Sequence, residues 1–169
     1  MDTRPYTTTW WAILTSARCN ANGRAVLPHG LDLDPPGYAG LPLLWRHNDN
    51  QEIGAVADIR ADRDFAYVAF RLFDTYIADG LRAGLRFGVS PGYRTLECRY
   101  ATAADRELYG LDTKIVITRW RPVEVTLTPD PANPAAWTLN SAAAIRGLPT
   151  EADVRAACRD AMHLARATR

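Results

Sequence analysis

The chain is poor in the features that mark nucleic-acid binders, secreted frameworks and metal sites. Its formal net charge is only +1, and no block of like charges occurs, so no long-range field steers it to nucleic acid or an anionic membrane. Lys114 is the single lysine; the arginines that replace the others are scattered rather than gathered on one face, a pattern of base composition more than of function. Cys19, Cys98 and Cys158 are odd in number, widely spaced and without a CxxC pair. They point to neither a disulfide framework nor a zinc site, and they fit a reducing cytoplasm. The opening Met1-Asp2-Thr3-Arg4-Pro5-Tyr6 lacks the apolar core of a signal peptide, and no run is long enough to cross a bilayer. A soluble intracellular protein is expected, with no metal and no cofactor.

What is present is a core. Of 169 residues, 47% are hydrophobic, enough for one domain and a short appendage. Residues 9–17 (TWWAILTSA) are aromatic and branched and predict a strand, with a second at 25–27 after the Asn22-Gly23 turn. Pro28, Pro35, Pro36, Gly37 and Gly40 make 28–41 a loop that the fold must hold from outside. Residues 53–59 and 65–72 flank the polar turn 61–64 as a β-hairpin. Asp74 predicts a helix N-cap, and the following short helix leads into a β-patterned stretch, 86–100. A second such stretch covers 114–128, with 101–112 between them as a loop or small hairpin. Three prolines at 129–134 forbid regular structure. Residues 150–169 carry an apolar stripe of Val154, Ala157, Cys158, Ala161 and Leu164 behind a Thr150/Asp153 capping box. The predicted organisation is a β-rich α+β domain over 1–137, an antiparallel β-barrel with a few peripheral helices, then a linker at 138–149 and a helical tail at 150–169.

Chemistry concentrates on few residues. Ser90 stands in Gly88-Val89-Ser90-Pro91-Gly92, and a hydroxyl is a poor nucleophile unless an imidazole takes its proton. Only three histidines are available. His29 lies in a turn and His163 on the tail, both read as surface residues, whereas His47 follows the apolar 43–45. The Gly-x-Ser-x-Gly pattern also describes the nucleophile elbow of α/β hydrolases, but that fold needs a parallel sheet and places acid and histidine after the serine, where only His163 on the tail follows Ser90. Glu124 is the candidate orienting acid: Val123, Val125 and Leu127 share one face of a strand by alternation, which turns Glu124 to the other. The alternative is a solvated glutamate on a half-exposed strand, and Asp49, Asp58 and Asp112 are its rivals.

Four blocks in order, 23–30 (GRAVLPHG), 41–53 (LPLLWRHNDNQEI) with Gly54, 81–93 (LRAGLRFGVSPGY) and 123–135 (VEVTLTPDPANPA), together resemble the prohead maturation proteases of tailed bacteriophages, which are similar to the herpesvirus assemblins. That resemblance implies His47 as general base, Ser90 as nucleophile and Glu124 as third member, where assemblins carry a second histidine. It implies an antiparallel β-barrel and a capsid scaffold protein, or scaffold domain of the capsid protein, as partner and substrate along with the protease itself. It also implies a location inside an immature capsid in the bacterial cytoplasm. Apart from the resemblance, the tail helix is open to three readings: a homodimer contact, a docking tail or a removable segment. Pro91 departs from the family, which more often has an aliphatic residue there. Backbone N–H groups of the 129–134 loop, at Asp130, Ala132 and Asn133, are the oxyanion candidates. The competing expectation is a scaffold-binding assembly module of the same fold without chemistry.

Overall fold

The computed structural model describes residues 8–34 and 38–139. Seven strands run in chain order as β1 (Trp10–Ser16), β2 (Arg24–Val26), β3 (Pro42–Trp45), β4 (Asn48–Ala61), β5 (Phe65–Leu72), β6 (Gly88–Tyr100) and β7 (Ile115–Thr128), with helices α1 (Thr75–Arg82) and α2 (Ala103–Tyr109). The predicted tail helix and most of the predicted linker lie outside the described residues.

The strands form one sheet in the order β1-β5-β4-β3-β7-β2, and β6 pairs along β7. The described residues are β-rich with two short α-helices, but the expected antiparallel barrel is corrected to an open, curled half-barrel of mixed pairing. The reason is the length of β7. Its fourteen residues accommodate β2 opposite Ile115, Val116 and Ile117 and β3 opposite Val125, Thr126 and Leu127, both parallel to it. Parallel partners need long crossovers, and β4, β5, α1, β6 and α2 all intervene between these strands and β7.

The gap between β1 and β6 is spanned by residues 136–139. Val89 N–H donates to the Ala136 carbonyl (2.8 Å) and Thr138 N–H to that of Phe87 (2.9 Å); on the other side Ile13 N–H donates to Trp137 (3.1 Å) and Leu139 N–H to Trp11 (2.9 Å). Strand alternation divides the apolar residues of β1 between two clusters. Trp10, Ala12 and Leu14 enter the main core with Leu43, Val68, Phe70, Val89, Trp120, Val125 and Leu127. Trp11 and Ile13 join Tyr67, Ala69 and Leu139 in a smaller one. Each fully buried side chain of this size stabilises by roughly 1.5–3 kcal/mol.

The 28–41 loop is held from outside, as its prolines and glycines require. Asp32 accepts from Arg121 Nε (2.9 Å) on β7 and stands 3.7 Å from Arg119 Nη2. The Tyr38 hydroxyl donates to the Asp32 carbonyl, and Trp120 Nε1 donates to that of Leu27 (2.8 Å). Hydrogen bonding from Arg121 holds the Asp32 carboxyl below its ordinary value.

Residues 101–112 are corrected from a loop or small hairpin to a connection containing α2. The Thr102 hydroxyl accepts from Asp105 N–H (3.2 Å) while the Asp105 carboxylate accepts from Thr102 N–H (2.8 Å), a reciprocal capping box. Arg99 on β6 clamps the same carboxylate through two nitrogens, one at 2.8 Å. The Arg99 bond first, then those from Thr102, holds Asp105 far below the ordinary carboxylate range. Such a group stabilises the fold above its unfolded pKa, and the contribution is lost as pH falls through the folded one. Wild type should therefore be more stable than Asp105→Asn at neutral pH, and the gap should close from about pH 4 downward, starting near the unfolded carboxyl pKa. Urea melts at successive pH values test this; a gap independent of pH would contradict the assignment.

Candidate active site

The site is built on β7 and the two strands beside it. Gly92 pairs with Glu124, and Ser90 with Thr126, across the β6–β7 ladder; Leu44 pairs with Thr126 across β3–β7. Residues opposite one another share a face, so Ser90, Gly92, Glu124 and Thr126 lie together on the face away from Val89, Val125 and Leu127. A β-bulge produces this arrangement. The register moves from Gly92↔Glu124 to Tyr93↔Pro122, leaving Val123 as an extra residue on β7. Before the bulge Trp120 and Pro122 face inward; after it Val125 and Leu127 do. The extra residue inverts parity and turns Glu124 outward. Val123 is therefore corrected from a core residue to one 40% exposed.

His47 reaches that face from the turn joining β3 and β4. Arg46 and His47 occupy it with φ of 55° and 56°, the left-handed pair that a two-residue type I′ hairpin demands and usually fills with Asn-Gly or Gly-Gly. Each non-glycine residue held so costs roughly 1–2 kcal/mol. Two bonds to β7 hold the turn in place: Arg46 N–H to the Leu127 carbonyl (3.0 Å) and His47 N–H to Thr126 Oγ1 (3.1 Å). The imidazole then meets the carboxylate, Nδ1 donating to Glu124 Oε1 at 2.7 Å.

His47 is half exposed (49%), while Glu124 is largely enclosed (14%). Glu124 Oε2 is buried and makes no hydrogen bond among the described residues. A carboxylate on Nδ1 selects the tautomer with its proton there, leaving the Nε2 lone pair to accept another. Ser90 is partly exposed, and its hydroxyl makes no hydrogen bond among the described residues. The structure thus joins His47 to Glu124 and sets Ser90 across from Thr126 on the same face, without a Ser90–His47 hydrogen bond.

The two glycines of Gly88-Val89-Ser90-Pro91-Gly92 have distinct neighbours on this face. A Cβ at Gly92 would lie 2.7 Å from Glu124 Cδ, and one at Gly88 would lie 2.6 Å from Pro131 Cγ. Ser90 is consequently framed by the Pro131 ring on one side and the Glu124 carboxylate on the other, and glycine at both flanks admits them. Gly92→Ala should displace Glu124 and break its bond to His47. Imidazole ¹⁵N shifts would then leave the Nδ1–H tautomer while the melting temperature moves little; an unchanged tautomer would show that the carboxylate tolerates the methyl.

Pro91 costs no bond to β7. Val89 sends its N–H to Ala136, away from β7, and alternation puts the Pro91 nitrogen on the same outer side, where proline is tolerated.

The oxyanion candidates do not present free groups uniformly. Asp130 N–H is engaged by Thr128 Oγ1 (3.3 Å). Asn133 is a buried fastener: its Nδ2 donates to the Ser16 carbonyl (3.0 Å) and Thr15 Oγ1 (3.2 Å), and its Oδ1 accepts from Ser16 Oγ (3.1 Å) and Ala135 N–H (3.0 Å). The Ala132 carbonyl accepts from Ala21 N–H (2.9 Å). This loop ties β7 to the end of β1.

Among the rival acids, Asp49 is exposed beside the turn, Asp58 accepts from Arg60 Nε (2.6 Å), and Asp112 is exposed in the turn before β7. None of the three bonds to His47. His29 is exposed on the short 3₁₀ turn Pro28–Gly30, and His163 lies outside the described residues. Among the described residues no group of three His, Cys, Asp or Glu is placed to hold a metal ion, and no helix is long and apolar enough to cross a membrane.

No protein-family model matches the chain, and no curated protein sequence matches it.

Proposed function

We propose that the protein is a serine endopeptidase of the prohead maturation type, cleaving a capsid scaffold and itself inside an immature shell. The observation that carries this reading is the 2.7 Å His47 Nδ1–Glu124 Oε1 hydrogen bond on the sheet face that also bears Ser90. In the proposed reaction Ser90 Oγ attacks the scissile carbonyl carbon while His47 Nε2 takes the hydroxyl proton, and Glu124 offsets the charge of the imidazolium. Collapse of the tetrahedral intermediate breaks the C–N bond, the proton passes from Nε2 to the departing amine, and an acyl-enzyme remains. Water, deprotonated by His47, attacks the ester and releases the acid with Ser90 regenerated. The scaffold as substrate is supported by the four sequence blocks and their order.

A second reading, a scaffold-binding module without chemistry, is favoured by one observation: the Ser90 hydroxyl has no hydrogen bond to His47. Catalytic contacts often close only with substrate present. A fluorophosphonate probe separates the two readings, since it needs an activated serine. Labelling at Ser90 in assembled particles, with scaffold cleavage, supports the peptidase. A folded, assembled sample that stays unlabelled and leaves scaffold intact supports the binding module.

A further inference from the structure

We infer that Thr126 is a positioning residue that holds the His47 turn in the left-handed conformation from which the imidazole reaches Glu124, an inference that rests on the peptidase reading for its catalytic consequence. Thr126 is fully buried at the centre of the site. It stands opposite Ser90 on one side and Leu44 on the other, and two residues from Glu124 along the same strand.

The turn it touches carries a conformational conflict. Arg46 and His47 both have positive φ; neither is glycine, and although histidine enters this region more often than most residues, arginine does not. A strained turn persists only where its surroundings over-determine it. Two tethers to β7 do so here. Arg46 N–H donates to the Leu127 carbonyl, a bond that any residue at 127 supplies. His47 N–H donates to Thr126 Oγ1, and this one requires a hydroxyl at position 126.

Threonine suits the task on two counts. Its branched Cβ favours the strand and restricts χ1, so the oxygen is presented in a fixed direction. Its place on the outward face follows from the Val123 bulge that also turns Glu124 outward. His47 is thereby fixed at two points on neighbouring outward residues of one strand: its backbone nitrogen on Thr126 and its Nδ1 on Glu124. Removing the first tether lets φ relax, and relaxation of φ swings the His47 side chain away from the second.

The test compares Thr126→Val with Thr126→Ser. In Thr126→Val the His47 amide should exchange with deuterium about tenfold faster or more, as expected for a lost local bond. Imidazole ¹⁵N shifts should leave the Nδ1–H tautomer. Scaffold cleavage should fall in kcat by about a hundredfold, the scale of a misplacement near 1 Å, with KM little changed. Thr126→Ser should restore all three. Wild-type amide exchange and tautomer in a folded Thr126→Val protein would overturn the inference, as would a loss of activity that serine does not rescue. Should Thr126→Val fail to fold, the wild-type amide of His47 decides: protection supports the tether, and exchange at the free-peptide rate refutes it. These spectroscopic readouts need no substrate, so a chain that cleaves nothing would sink the peptidase reading while leaving the role of Thr126 decided.

Discussion

Ser90→Ala should leave the protein folded and lower scaffold cleavage by about a millionfold, the loss seen when a serine nucleophile is removed from an intact triad. The fold has little at stake in this hydroxyl. It makes no hydrogen bond among the described residues, and the ladder pair with Thr126 is a backbone pairing that alanine keeps. The melting temperature should therefore move by only a degree or two, about the effect of an exposed substitution. Mass spectrometry of scaffold and protease in assembled particles reads the result. Cleavage at the parental rate would end the assignment of Ser90 as nucleophile. A loss of cleavage matched by a comparable loss of folded protein would show that the residue serves the strand rather than the reaction.

Glu124→Gln is expected to have the next largest effect, about ten-thousandfold on kcat, the scale found when the carboxylate of a triad becomes an amide. The amide is the same size and fits the space over Gly92, and its oxygen can still accept from Nδ1. What it lacks is the negative charge that offsets the imidazolium formed as Ser90 attacks, and it can present its NH₂ to the ring and select the opposite tautomer. Both deficits act in the transition state, so kcat should carry the loss and KM should not. A rise in KM alone would recast Glu124 as a substrate-binding group. An unchanged rate would remove it from the mechanism and leave its 2.7 Å bond a structural tether of the turn.

Much of this architecture was legible before any coordinate. The hairpin of β4 and β5 follows from two β-patterned runs around a polar turn, and the Asp74 cap of α1 accepts from Ile77 N–H (3.0 Å) as its position predicts. Both depend on contacts within a few residues, where turn chemistry and side-chain reach act directly. The Thr102/Asp105 capping box is equally local, but the polarity of the 101–112 segment suits a loop as well as a short helix, so its pattern does not decide between them.

The outward direction of Glu124 was anticipated by alternation, but for an incomplete reason. Val123 does not share the inner face with Val125 and Leu127; the bulge at Val123 changes the parity of β7. A bulge exists only relative to a partner strand, here β6, the strand before it in the chain, so no reading of β7 alone reveals it. The turn at Arg46 and His47 was likewise hidden. Its left-handed backbone runs against the local preference of Arg46 above all, and it is held because β7 supplies the two acceptors.

The linear chain therefore carried the inventory: a serine, a histidine and a carboxylate whose chemistry suits the proposed reaction, on segments of recognisable type. The meeting of His47 with Glu124, on the face that also bears Ser90, came from long-range pairing, through the bulge that turns Glu124 outward and the tethers that bend His47 back over it. Composition and periodicity act over a turn or two, whereas strand register and tethered strain depend on groups that meet only when the chain has closed on itself.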